Sequence, residues 1–223
     1  MFRFDAIVFD FDGVLAQSVD VKTKAFAALY QAHGQDVVDR VVAWHLAHGG
    51  VSRYEKFRHF HRAFLGRELS PQDEAALGER FSALVEKAVI ASTWVPGARE
   101  FLDTYYSRMP LFVASGTPEA ELVRIVEARG MAHYFAGVAG APRRKGEILT
   151  EFARCLGATP SRVLMVGDSM TDYLDAMEAG SAFVGIAPPQ ASPFPAGVSV
   201  LPDLTGLGDF INQQPPMVLE AAQ

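Results

Sequence analysis

Residues 4–15 read Phe4-Asp5-Ala6-Ile7-Val8-Phe9-Asp10-Phe11-Asp12-Gly13-Val14-Leu15, and the rest of the chain is interpreted from them. The apolar run from Ile7 to Phe9 indicates a strand buried on both faces, as in a parallel sheet. Ligands of such sheets bind beyond the carboxyl ends of the strands, where Asp10 and Asp12 fall. Two carboxylates this close repel each other, which favours a bound cation or a shared proton. An acidic turn, with Gly13 at an unusual backbone angle, explains the same residues, so the stretch alone leaves both interpretations open.

The composition is that of a globular protein, with 49% hydrophobic and 21% charged residues in a chain of 223. A net charge of −6 without a basic stripe argues against a nucleic-acid partner. No apolar run approaches the roughly 20 residues that span a bilayer, and acidic residues interrupt the first apolar run, which excludes a secretory signal. The single cysteine, Cys155, cannot form an intramolecular disulfide, and its helical pattern predicts a small core residue. We therefore expect a cytoplasmic protein with no membrane partner.

A helical period dominates the segment from about residue 19 to residue 91. Four helices are predicted there, with apolar positions inside 21–29, 37–46, 54–65 and 77–88. The fourth begins at Ser70-Pro71, where Ser70 is suited to the N-cap and Pro71 to the first helical position. The pattern predicts an all-helical insertion after the first strand.

Strands and helices alternate after Trp94-Val95-Pro96-Gly97. The predicted strands are 111–114, 135–139, 162–166 and 182–186, with a short edge strand at 198–200. The predicted helices include 98–106, 146–156, 170–179 and 204–211. This alternation predicts an α/β fold with a doubly wound parallel sheet.

Polar side chains follow two of the predicted strands and precede one of the predicted helices. Ser115-Gly116-Thr117 comes after the second strand, as small residues leading into a helix N-terminus whose N–H groups suit an anionic oxygen. Gly167-Asp168-Ser169-Met170-Thr171-Asp172 places two carboxylates after a later strand, and Arg143-Arg144-Lys145 precedes a helix. Helix capping or a solvated loop explains each one separately. Together they place carboxylates, a hydroxyl and a lysine at one sheet edge, a set that suits Mg²⁺ and a phosphoryl group.

With these motifs the chain resembles the haloacid dehalogenase-like hydrolase superfamily, in its phosphoglycolate phosphatase/β-phosphoglucomutase-like group. Four motifs stand in the family's order, and the resemblance covers about residues 4–187. They are Asp10-Phe11-Asp12-Gly13-Val14, Ser115, Lys145 and Gly167-Asp168-Ser169-Met170-Thr171-Asp172. The helical insertion lies where that group carries its C1-type cap, and Trp94-Val95-Pro96-Gly97 is similar to the return segment. The resemblance implies a Rossmann-like core at 1–15 and 93–223, with a helical cap domain at 16–92.

The resemblance also implies an activity: Mg²⁺-dependent hydrolysis of a small phosphorylated metabolite, of phosphoglycolate or sugar-phosphate type, through an aspartyl-phosphate intermediate. Asp10 would be the nucleophile, and Asp12 the general acid and base. Ser115, with the backbone N–H of Gly116, would bind the transferring phosphoryl group, and Lys145 would neutralise its charge. A protonated Asp12 predicts a rate that falls at high pH.

The metal site implied by the resemblance consists of acidic residues from the first and the fourth motif. Mg²⁺ would be held by Asp10, by the backbone carbonyl of Asp12 and by Asp168. Asp172 would support this site, through water or by orienting Lys145. The implied cofactor is therefore Mg²⁺.

Several alternatives stay open at this point. A second aspartate at this spacing favours phosphate esters over a halide substrate. The mutase relatives resemble one another in a histidine ten residues beyond that aspartate, a position held here by Lys22, which disfavours a phosphomutase. A non-catalytic phosphate-binding relative or a receiver-like domain is the other alternative. The chain is expected to be a monomer or a homodimer.

The predicted cap contains a loop that resembles the substrate-specificity loop of this cap type, at His48-Gly49-Gly50-Val51-Ser52-Arg53. We hypothesise that Arg53, with Lys56, contacts a charged part of the substrate. An exposed arginine on the cap surface explains the same residue. A metal site among the nearby histidines is disfavoured, because they lack a cysteine or a carboxylate pair.

Overall fold

The protein was analysed as a computed structural model, which describes residues 3–188 and 190–212. Its centre is a six-stranded sheet in which every neighbouring pair is parallel. The strands are β1 (Ala6–Phe9), β2 (Leu111–Pro118), β3 (Gly137–Ala141), β4 (Val163–Gly167), β5 (Ala182–Ile186) and β6 (Val200–Leu201). Their order is β3-β2-β1-β4-β5-β6, so the winding direction reverses on the two sides of β1. All four residues of β1 are buried, as its apolar run predicted.

Helices cover both faces of this sheet. Those between β1 and β2 are α1 (Val19–Tyr30), α2 (Gln35–Ala47), α3 (Arg53–Leu65), α4 (Pro71–Ala91) and α5 (Ala98–Tyr105). The others are α6 (Glu119–Ala128), α7 (Lys145–Leu156), α8 (Met170–Glu178) and α9 (Leu207–Asn212). Apolar residues of α7 and α8 pack on one face of the sheet, and those of α5, α6 and α9 pack on the other. The predicted doubly wound α/β fold is confirmed.

The four helices α1 to α4 pack around aromatic side chains. Phe26 lies at their centre, with its ring centroid 4.5 Å from that of Phe81 and 5.7 Å from that of Phe60. Burial of each such ring stabilises the fold by about 2–3 kcal/mol. Ser70 caps α4 as predicted, because its Oγ accepts a hydrogen bond from the Asp73 N–H at 3.1 Å. The division into a core at 1–15 and 93–223 and a cap at 16–92 stays a prediction, and residues 213–223 lie outside the described part.

Three predictions of local structure are wrong. β2 continues through Pro118 instead of ending at residue 114, because Ser115 still pairs with Gly140 of β3, so α6 begins only at Glu119. Ser115 and Gly116, which are predicted to bind the phosphoryl group, therefore lie in a strand and not at a helix N-terminus. Cys155 is exposed and not in the core, because it lies in the last turn of α7, beyond the buried residues of that helix. The terminal helix begins at Leu207, three residues later than predicted. No described helix is long and apolar enough to cross a membrane.

Candidate active site

The sequence motifs meet at the carboxyl edge of the sheet, beside the central strand. Asp10 follows β1, Ser115 lies within β2, and Asp168 follows β4. Because β2 and β4 are the two neighbours of β1, their carboxyl ends bring these side chains together at the point where the winding reverses. They line a cavity of about 160 Å³, whose opposite wall comes from α1, α2, α3 and the loop before α3.

Lys145 is the buried cation of this edge. Its Nζ lies 3.0 Å from Asp10 Oδ1 and also donates a hydrogen bond to Asp172 Oδ1. Burial lowers the pKa of Lys145, but the two carboxylates outweigh it and raise the pKa above its ordinary value. Asp172 also accepts hydrogen bonds from Ser169, from Oγ at 2.6 Å and from the backbone N–H at 3.1 Å. Asp172 is thus held in place, and it fixes the orientation of Lys145.

Three carboxylates crowd around this ammonium. Asp10, Asp168 and Asp172 each offer an oxygen, and these oxygens lie within 4.8 Å of one another. Burial raises the pKa of Asp10 to about 7, against the opposing charge of Lys145. Burial and the charge of Asp10 raise the pKa of Asp168 well above its ordinary value. The three carboxylates repel one another when all of them are ionised, and a cation between them would relieve this repulsion. Their hard oxygen atoms suit a divalent cation such as Mg²⁺.

Gly13 is required by this arrangement. Its φ is +81°, and a Cβ there would lie 2.1 Å from Asp168 Oδ2. Both the backbone conformation and the space taken by the Asp168 carboxylate therefore exclude a side chain. The glycine of the first motif lets the turn after Asp12 pass directly beside Asp168.

Asp12 is held by a set of contacts that the sequence did not reveal. Its carboxylate forms an ion pair with Lys22 and accepts a hydrogen bond from Ser18 Oγ at 2.6 Å. Lys22 Nζ also donates to Thr117 Oγ1 at 2.7 Å. Burial raises the pKa of Asp12, but Lys22 and Ser18 outweigh it and lower the pKa below its ordinary value. The expectation of a protonated Asp12 does not fit this structure, since Lys22 favours the ionised form. Lys22 lies in the first turn of α1, ten residues beyond Asp12. Nothing in the sequence indicated that the two side chains pair.

Ser115 and Gly116 lie at a close approach between the helical insertion and the sheet. Ser115 is buried, and its Oγ accepts a hydrogen bond from the Thr117 N–H at 3.2 Å. A Cβ on Gly116 would lie 2.5 Å from the carbonyl oxygen of Gly50. The loop before α3 therefore lies directly over the phosphoryl-binding residues that were predicted.

Arg53 is buried and not on the surface. Its guanidinium donates to both carboxylate oxygens of Glu121, at 2.8 and 2.6 Å, and to Ser82 Oγ at 2.8 Å. It also lies 4.5 Å above the ring centroid of Phe81. Arg53 lines the cavity, but this ion pair between α3 and α6 occupies its donors. Its contact with substrate stays a prediction, and sequence reasoning missed its partner Glu121.

The histidines of the helical insertion have structural neighbours. His48 and His59 stack on Trp44, with centroid distances of 3.8 and 4.3 Å. His61 Nδ1 lies 3.1 Å from Tyr30 Oη. These contacts give His48, His59 and His61 structural partners within the helical insertion.

The fold and the site define an α/β enzyme whose cavity, at the switch point of the sheet, is lined by both carboxylates and buried cations. Residues 4–180 match the family model of haloacid dehalogenase-like hydrolases, and the chain belongs to that family.

Relatives and solved structures agree with this assignment. The phosphoglycolate phosphatase of Pasteurella multocida is 28% identical over 195 residues, which cover 83% of this chain and 87% of the relative. The phosphoglycolate phosphatase of Haemophilus influenzae is 26% identical over 192 residues, which cover 82% and 86%. The prediction that the chain is a phosphatase of this superfamily is confirmed.

Two solved structures show the shared fold. The β-phosphoglucomutase of Clostridium difficile has a TM-score of 0.75 at 19% identity, over 92% of this chain and 93% of that one. A protein from Haemophilus somnus, described as a predicted phosphoglycolate phosphatase, has a TM-score of 0.73 at 19% identity, over 94% and 99%. At such identities the likeness concerns the fold alone.

Proposed function

We propose that this phosphatase is Mg²⁺-dependent and hydrolyses a small phosphate monoester through an aspartyl-phosphate on Asp10. The position of Asp10 carries the proposal. Its Oδ1 accepts hydrogen bonds from the Phe11 N–H at 2.7 Å and lies 3.0 Å from Lys145 Nζ, while the residue lines the cavity. A carboxylate fixed through one oxygen presents the other oxygen to a phosphorus atom in the cavity.

The transferring phosphoryl group would lie between Asp10 and the residues of β2. Ser115 Oγ and the backbone N–H of Gly116 would donate hydrogen bonds to its oxygens, and Lys145 would neutralise part of its charge. Such fixed donors favour the charge that spreads over the equatorial oxygens in the transition state. Attack of Asp10 on phosphorus forms the new P–O bond and releases the alkoxide of the ester, which must take up a proton.

Asp12 is the group placed for the proton transfers. It lies two residues beyond Asp10 and lines the same cavity. The ionised form favoured by Lys22 is the form that takes a proton from water in the second half-reaction, when water attacks the phosphorus of the aspartyl-phosphate. The proton so gained is then available to the leaving oxygen of the next ester.

Mg²⁺ would be held by Asp10, Asp168 and the backbone carbonyl of Asp12, with Asp172 orienting Lys145. When bound, the cation supplies positive charge to the phosphoryl oxygens and offsets the repulsion among the carboxylates.

We further propose that residues 16–92 form a cap domain over the core at 1–15 and 93–223. The contact of Gly50 with Gly116 and the Arg53–Glu121 ion pair support this, because both join the helical insertion to the strand and helix that border the site. A covering layer excludes water from the reacting groups and limits the size of the substrate.

The names of the relatives favour phosphoglycolate as the substrate, and a sugar phosphate is the second possibility. A phosphomutase activity is the alternative that the likeness to β-phosphoglucomutase suggests. Lys22, in place of the histidine of the mutases, opposes it. A cytoplasmic location and a monomeric or homodimeric state stay predictions.

Release of inorganic phosphate from p-nitrophenyl phosphate and from phosphoglycolate, with and without Mg²⁺, tests the proposal. We expect Mg²⁺-dependent release that is lost in Asp10→Asn. Activity that survives Asp10→Asn would overturn the assignment of the nucleophile. Conversion of a sugar 1-phosphate into its isomer, without net phosphate release, would favour the mutase.

A further inference from the structure

Lys56 is a buried cation on the wall of the cavity opposite the carboxylates. It lies in α3, is 3% exposed and lines the cavity. Its Nζ lies 2.8 Å from His45 Nδ1 and 5.6 Å from the ring centroid of Phe26. These neighbours are uncharged or weakly basic, so they leave the ammonium charge uncompensated.

The other three cations near the cavity differ from Lys56 in this respect. Lys22 pairs with Asp12, Arg53 with Glu121, and Lys145 with Asp10 and Asp172. Within residues 3–188 and 190–212, no carboxylate lies within ion-pair distance of Lys56. A charge this deeply buried is unfavourable without a counterion, which a ligand in the cavity could supply.

His45 adds a second unsatisfied group beside Lys56. Because the ammonium donates to Nδ1, the ring carries its own proton on Nε2. This Nε2 is buried and has no hydrogen-bond partner among the described residues, although His45 lines the cavity. Burial and the charge of Lys56 lower the pKa of His45 to about 3, so the ring stays neutral. The cavity wall thus presents one ammonium and one N–H donor without an acceptor.

We infer that Lys56 and His45 form a subsite for a carboxylate group of the substrate, so that the enzyme prefers short phosphate monoesters that carry a carboxylate. This inference rests on the proposed function and names the substrate class of the same site. One unpaired ammonium balances one carboxylate, whereas a second phosphate dianion would stay half-neutralised. The cavity of about 160 Å³ also favours a short molecule, since cavities near 150 Å³ hold ligands of benzene size.

Lys56 has the pKa of a cation without a counterion. Burial and the charge of Lys22 lower this pKa to about 7, and a carboxylate bound beside Lys56 would raise it again and favour the ammonium form. The charges of Asp12 and Asp168 also act on Lys56, which places it within electrostatic reach of the reacting groups. A ligand with a phosphoryl group at Asp10 and a carboxylate at Lys56 would therefore be short.

Binding of two phosphonates tests the subsite without any turnover. 3-Phosphonopropionate has the length of phosphoglycolate and carries its carboxylate, whereas propylphosphonate has a methyl group there. We expect calorimetry, in the presence of Mg²⁺, to show at least tenfold tighter binding of 3-phosphonopropionate to the full chain. Equal binding of the two to the unsubstituted protein would overturn the inference, whatever any variant does.

Lys56→Met removes the charge and keeps the length of the side chain. We expect it to abolish the preference for 3-phosphonopropionate and to raise the KM for phosphoglycolate at least tenfold relative to the KM for ethyl phosphate. Lys24→Met, at an exposed position of α1, is the matched control and should change neither value. A folded Lys56→Met protein that keeps the full preference would refute the subsite. If no phosphate ester is hydrolysed but the binding preference is found, the proposed function fails while the subsite stands.

Discussion

The ammonium of Lys22 forms an ion pair with the carboxylate of Asp12, two residues beyond the proposed nucleophile. The pair joins the first turn of α1 to the loop after β1, and Thr117 of β2 accepts a hydrogen bond from the same ammonium. Lys22 therefore favours the ionised form of Asp12, which is the base of the proposed second half-reaction, and the position of the carboxylate is fixed from two sides. This relationship has a direct consequence for the pH dependence of the rate.

Replacement of Lys22 by methionine should move the acidic limb of the pH–rate profile to higher pH. Lys22 lowers the pKa of Asp12 against the effect of burial, so without it burial raises that pKa. Asp12 then keeps its proton to higher pH, and the base needed for the second half-reaction is lost earlier as the pH falls. The profile for p-nitrophenyl phosphate measures this shift. An acidic limb that does not move would show that Asp12 is not the group that titrates.

Asp12→Asn complements this experiment by removing the proton transfer itself. General acid–base catalysis contributes about 10²- to 10⁴-fold, so we expect kcat to fall by that order. Bound Mg²⁺ should be retained, since only the backbone carbonyl of residue 12 is proposed as a ligand. A loss of Mg²⁺ binding in this variant would contradict that ligand set.

Mg²⁺ should stabilise the protein more at pH 8 than at pH 5.5. The pKa of Asp10 is raised from 3.8 to about 7 in the folded protein. Protonation of Asp10 therefore makes its full contribution to the free energy of unfolding below pH 3.8, and this contribution is lost as the pH rises through about 7. Above that pH the carboxylates of the metal-free site are ionised and repel one another. Bound Mg²⁺ relieves this repulsion, and protons no longer compete with it for the carboxylate oxygens. At a hundredfold excess over Kd the gain is about 2.7 kcal/mol. Thermal melts at the two pH values, with and without Mg²⁺, measure it, and Asp168→Asn should lose most of the effect.

The sequence could predict which residues lie at the edge of the sheet, and it could not predict which of them face each other. Asp10 and Asp168 follow buried apolar runs, so their place at strand ends follows from chain direction and parallel pairing alone. The partner of Arg53 is Glu121, 68 residues away, and that pairing depends on how α3 packs on α6. Lys22 and Lys56 stand out in the sequence, but their partners Asp12 and His45 depend on how the helices pack. The extension of β2 through Ser115 was missed because backbone pairing with β3 decides it, and small polar residues carry no strand signal.

The Arg53–Glu121 ion pair should be costly to break on one side only. Both side chains are 4% exposed, so Glu121→Gln leaves a buried guanidinium without its counterion. We expect urea denaturation to show a loss of about 3–5 kcal/mol in the free energy of unfolding. The double variant Arg53→Met, Glu121→Leu should recover much of this loss. If Arg53 serves this ion pair alone, the double variant keeps the KM of the unsubstituted enzyme. If Arg53 also contacts the substrate, as predicted, KM should rise in the double variant as it does in the single variant Arg53→Met.

Gly13 and Gly34 form a matched pair, because both have a positive φ, of +81° and +92°, and only Gly13 lies against the site. An alanine at either position costs on the order of 1–3 kcal/mol of backbone strain. At Gly13 the added Cβ would also lie 2.1 Å from Asp168 Oδ2, whereas at Gly34 nothing lies within 4 Å. Displacement of Asp168 by about 1 Å should lower kcat about a hundredfold in Gly13→Ala. Gly34→Ala should lose similar stability, measured by urea denaturation, and keep its kcat. Equal kcat values for the two variants would show that the position of Asp168 does not limit the reaction.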